Sequence, residues 1–229
     1  VTARDLDPAS LYEQERLRFI AMLRAVPTGR LSTPVAATPG WTIRDVVAHV
    51  VGITADLNAQ RFGDGDPDSW TADQLAQRAD HPLEKLVVEW DREAPSFESG
   101  LRLFGHQFGA HFLADLLQHG FDVAAALGQG RRRDDECVAV GLSFYLESFA
   151  ESLDGAGAGA VEMIASAERH LVGTGDVVAS VRASRHELFR ALGGRRTIAE
   201  IAALDWSGNN EAIIGLFSRY PPPLQSLGE

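Results

Sequence analysis

The chain has 229 residues, and its 45% hydrophobic and 23% charged content is that of a globular protein, too apolar for global disorder. With 21 Lys+Arg against 32 Asp+Glu, the net charge of −11 argues against a nucleic-acid binder, whose footprint should be basic. Cys137 is the single cysteine, which excludes an intrachain disulfide framework and suits a reducing cytosol. No stretch approaches the ~20 apolar residues of a membrane span. The first residues lack the basic and apolar regions of a leader, so a soluble cytoplasmic protein is expected, as a monomer or homodimer.

Residues 8–26 predict a first helix, with Leu11, Leu17, Ile20 and Leu23 at helical spacing and Pro27 as its stop. In the segment PGWTIRD, Thr42 is placed to cap a second helix, with Asp45 completing a capping box. Ile43, Val46, Val47, Val50, Thr54 and Leu57 form its apolar stripe. Residues 63–69 read as a polar loop with Trp70 anchoring its far end, and DGDPDS within it lacks the turn glycine and closing glutamate of a calcium loop.

A third helix is expected over 83–103, kinked or split at Pro95. A fourth is expected over 109–127, ended by Gly128 and Gly130, and a fifth over 134–153. These suggest an antiparallel bundle over residues 1–153. Residues 154–160 read as a glycine-rich linker, and residues 161–229 as a small α/β domain. There AVEMI and DVVASVRA have strand patterning, while 184–192 and 197–204 read as helices.

The fourth helix carries the most informative pattern. His111, Asp115 and His119 recur at i, i+4, i+8, and Asp122 follows on the same side. His49 stands at the border of the second helix's stripe. If the two borders face each other, His49, Asp115 and His119 form a two-histidine, one-carboxylate set for a divalent metal with open coordination positions. The bland alternative is an exposed Asp115–His119 pair and a satisfied buried His49. His111 reads as a surface histidine or a further ligand, and Asp122 as an orienting partner of His119 or a turn cap.

TPGWTIRDVVAHVVGITADL at residues 38–57 resembles the segment of the mycothiol-dependent maleylpyruvate isomerase family that opens a helix and ends in a ligand histidine. DLLQHGFDVAAALG at 115–128 is similar to that family's acidic residue, histidine and aspartate run, and VRASRHELFRALGGRRTIAEIAALDWSG at 181–208 to the C-terminal segment of many actinobacterial members. The resemblance implies a DinB-like four-helix bundle followed by a small α/β domain, mainly α with an α+β tail. It implies a divalent metal, usually zinc, on His49, Asp115 and His119, with mycothiol as cosubstrate. Family members commonly carry glutamate where this chain has Asp115, one methylene shorter.

The expected activity is therefore metal-dependent and mycothiol-dependent isomerisation or thiol transfer on a small electrophilic metabolite. Arg182 and Arg185 are the candidate second-domain residues for catalysis or for the polar groups of the thiol, with salt bridging as the alternative. Two rival activities stay open: a metal-dependent lyase or hydrolase without thiol, and a non-catalytic metal or ligand-binding module. The Arg131–Arg133 run reads as a helix-terminal charge cluster, and Cys137 as a packing residue rather than a nucleophile.

Overall fold

The computed structural model of the chain describes residues 2–63 and 65–229. Asp64, at the start of the acidic DGDPDS segment, lies outside the described residues. The chain divides into two compact units, Asp7–Arg131 and a second comprising residues 2–6 with Arg132–Glu229.

The first unit holds α1 (Pro8–Arg24), α2 (Ile43–Asn58), α3 (Pro67–Gln77), α4 (Leu83–Phe104) and α5 (His106–Leu127). α1 and α2 each pack against both α4 and α5, which makes the four-helix bundle, and α3 lies along α2. Its core includes Phe19, Val46, Val47, Trp90, Leu113 and Leu116, all fully buried. Leu17, expected on the first stripe, is exposed; the buried face of α1 instead runs through Leu11, Tyr12, Glu15, Phe19, Ile20 and Leu23. The face therefore includes an acidic residue that an apolar count passes over.

Two other expectations for this unit are corrected. α4 runs unbroken through Pro95, so the helix is not split there. The end of the expected polar loop is helical: Asp66 caps α3, and Pro67 occupies its first turn, where a missing N–H costs nothing. Helix α5 stops as expected, at Gly128 in the left-handed region with φ 68°.

The second unit contains α6 (Glu136–Ala156), β1 (Ala160–Ala165), β2 (Glu168–Val172), β3 (Val177–Ala183), α7 (Arg185–Leu192), α8 (Ile198–Ala202), β4 (Asp205–Gly208) and α9 (Glu211–Ile214). The sheet order is β2-β1-β3-β4, with β1 and β3 parallel and the outer pairs antiparallel. α6 packs on α7 and β2, so this fifth long helix counts with the sheet. The division thus falls at Arg131/Arg132 rather than at 154–160, and α6 occupies the first residues of the anticipated linker. Cys137 is buried within α6. Among the described residues, no helix is long and apolar enough to cross a membrane.

Candidate metal centre

The site begins with a turn. Thr38, Pro39, Gly40 and Trp41 close with the Trp41 N–H donating to Thr38 O at 3.0 Å, and Gly40 takes φ 86°. Proline second and glycine third suit a turn that needs positive φ at its third residue. Thr42 then caps α2: its backbone N–H and its Oγ1 both donate to the Asp45 carboxylate, at 2.9 and 2.7 Å. This entry fixes the start of the helix that carries His49, two turns on.

α5 presents Asp115 and His119 one turn apart, and their side chains meet His49 from α2. The ligand-competent atoms of His49, Asp115 and His119 all lie within 4.8 Å of one another. His119 Nε2 is 3.6 Å from Asp115 Oδ1. The His49 and His119 rings meet edge to face, 5.2 Å between centroids. His49 and His119 are buried, whereas Asp115 keeps 27% of its side chain exposed. Trp41 covers both imidazoles, 5.1 Å from His49 and 6.3 Å from His119 between ring centroids.

Each imidazole has a polar side chain behind it. His49 Nδ1 is 2.8 Å from Gln74 Oε1 on α3. His119 Nδ1 lies 3.6 Å from Asp122 Oδ2, a fully buried carboxylate. That Nδ1 is itself buried and has no hydrogen-bond partner among the described residues. Burial, with His119 beside it, pushes the His49 pKa down to about 4, so the ring is neutral at neutral pH and keeps a lone pair. The Tyr12 hydroxyl, 3.3 Å from Thr54 Oγ1, is pushed well above its usual range by burial and so stays protonated.

The donor set suits a divalent ion: two imidazoles and one hard carboxylate oxygen, with polar groups behind the rings and the carboxylate on the open side. His111 stands apart from this cluster, stacked on Phe112 at 4.8 Å. Gln74 and Trp41 are the partners that sequence reasoning did not assign. The Asp66–Pro67 start of α3 was the available signal for Gln74.

Arg131, Arg132, Arg182 and Arg185 have partners in their own units. Arg182 Nε is 3.8 Å from Asp205 Oδ2, with half its side chain exposed. Arg185 donates to Glu168 at 2.8 Å and to Asp134 at 3.0 Å. Arg131 pairs with Glu15 and lies over the Phe121 ring, and Arg132 sits 3.9 Å from Asp135.

Residues 12–111 match the family model described as the mycothiol maleylpyruvate isomerase N-terminal domain. That span holds Trp41, His49 and Gln74 and ends before Asp115. Two crystal structures of a mycothiol-dependent maleylpyruvate isomerase, one of them a point mutant, are similar to this chain. One has 14% identity and a TM-score of 0.56, the mutant 13% and 0.55, each over 85% of this chain and 92% of that chain. At such identity the likeness speaks for the fold, a helical bundle with a small C-terminal sheet. Comparison with curated protein sequences gives no match. The family resemblance read from the sequence is borne out.

Proposed function

We propose that the chain is a metal- and mycothiol-dependent enzyme that transfers the thiol to, or isomerises, a small electrophilic metabolite. The observation that carries this reading is the convergence of His49, Asp115 and His119 in a chain matching the maleylpyruvate isomerase N-terminal domain. A divalent ion held by these residues, zinc being the first choice for two imidazoles and a carboxylate, supplies the positive charge that favours a thiolate at neutral pH.

The chain's own residues do the rest. His49 presents a neutral nitrogen and is held by Gln74, and the Asp122 carboxylate stands 3.6 Å behind the His119 ring. Trp41 lays an aromatic surface over both imidazoles. Asp115, on the exposed side, leaves the approach open for a cosubstrate. Of the two arginines assigned to the thiol's polar groups, Arg185 is already engaged by two carboxylates. Arg182, half exposed with one long ion pair, keeps donors for a further polar group.

The test is to load the purified protein with zinc and incubate it with mycothiol and an activated alkene or maleylpyruvate. Thiol-dependent conversion that disappears in His49→Ala and His119→Ala supports the reading. Equal conversion with and without mycothiol contradicts it.

A further inference from the structure

Behind His49 runs a chain of polar side chains that ends at the surface. Gln74 is fully buried, with Oε1 2.8 Å from His49 Nδ1 and Nε2 3.2 Å from Asp56 Oδ2. Asp56 is itself buried, and its Oδ1 accepts from Arg61 Nε at 3.0 Å and from Arg61 NH2 at 2.6 Å. Arg61 has 54% of its side chain exposed.

Hydrogen-bond direction propagates along this chain in one sense. Arg61 only donates, and the carboxylate of Asp56 paired with it only accepts. The Gln74 amide must therefore turn its NH2 to Asp56, which leaves its carbonyl oxygen facing His49. A carbonyl can only accept, so His49 Nδ1 must carry the proton, and its lone pair is confined to Nε2. The packing is built for this contact. A Cβ at Gly52 would come within 2.7 Å of the Gln74 Cβ and Cγ, so glycine lets α3 lie close enough to α2 for Gln74 to reach His49.

We propose that Gln74 and Asp56, anchored by Arg61, are positioning residues that fix the tautomer of His49 and so decide which of its nitrogens faces the metal centre. The metal part rests on the functional reading above, whereas the tautomer part concerns the protein's own protons. Outer partners of this kind change metal affinity 10–100-fold.

The experiment is long-range 1H–15N correlation on the metal-free, 15N-histidine-labelled full chain, followed by cobalt titration. The native protein should show His49 with its proton on Nδ1. Asp56→Asn, which frees the Gln74 amide to turn over, and Gln74→Leu should admit the Nε2–H tautomer. Cobalt binding should weaken by about 10-fold or more in each. Arg61→Ala, a change at the surface that leaves the Asp56 carboxylate an acceptor, should keep the proton on Nδ1, and the native protein's own tautomer tests the chain even if the buried substitutions prevent folding. Native His49 with its proton on Nε2, or an unchanged tautomer in folded Asp56→Asn or Gln74→Leu, overturns the proposal. Tautomer shifts in the variants of a protein that binds no cobalt uphold the chain and contradict the metal reading instead.

Discussion

Trp41 lies nearly parallel to the His119 imidazole, with an angle of 22° between the rings and 6.3 Å between their centroids. The indole stands just before the helix carrying His49, the imidazole on α5, so the pair joins the two elements that build the site. An ion bound to His119 therefore sits close to an intrinsic fluorophore. Cobalt should quench part of the protein's emission saturably, and Trp41→Phe should remove that part while Trp70, Trp90 and Trp206 still emit. Quenching unchanged by the substitution would place the ion elsewhere.

Asp115 provides a second check. Removing the carboxylate in Asp115→Ala should lower metal affinity by about 10-fold or more, because two imidazoles alone make a weak site. Asp115→Glu should retain the metal, since the side chain is partly exposed and has room to extend. Calorimetric titration with zinc reads both, and loss of binding in the glutamate variant would show that the backbone is set for aspartate.

Gly52 should tolerate no side chain. An added Cβ meets Gln74 at 2.7 Å, closer than carbon atoms pack, so α3 must move off α2. Gly52→Ala should cost about 1–3 kcal/mol by denaturant unfolding, the range for overpacking a core. It should also weaken cobalt binding through the lost Gln74 contact. A variant as stable as the native chain would mean that α3 is free to shift.

Gln74 also marks where sequence reasoning stopped. The second helix, its capping box and the Asp115–His119 pair were legible because caps and i, i+4 spacing leave local signatures. α3 left only its Asp66–Pro67 start: in PDSWTADQLAQ the buried residue is Gln74 itself, so there is no apolar stripe, and the Gly63 to Ser69 composition reads as loop. β2 and β4 were missed for a related reason. ERHLV is an edge strand with mostly exposed residues, and DWSG is four residues long. The partner of α6 was illegible as well, since an apolar stripe does not record which surface covers it.

His186 predicts an acid limit on stability. It is buried on α7, and burial together with the charges of Arg190, Arg133 and Arg196 holds its pKa down to about 3, against about 6.5 for a free histidine. The unfolded chain thus takes up this proton first as pH falls. The contribution to stability is complete above about 6.5 and drains away towards 3. Denaturant unfolding at pH 7.5 and 5 should show lower stability at pH 5, and His186→Asn should reduce that difference. An equal difference in both proteins would contradict the assignment.

The most direct measurement is the absorption spectrum of the cobalt-loaded protein before and after addition of mycothiol. Sulfur ligation at an ion held by His49, Asp115 and His119 should produce a new charge-transfer band that saturates with thiol. It should grow as pH rises, because the bound form is the thiolate and its formation releases a proton. The band should be absent in His119→Ala. A cobalt spectrum that saturating mycothiol leaves unchanged would contradict the assignment of this centre to thiol chemistry.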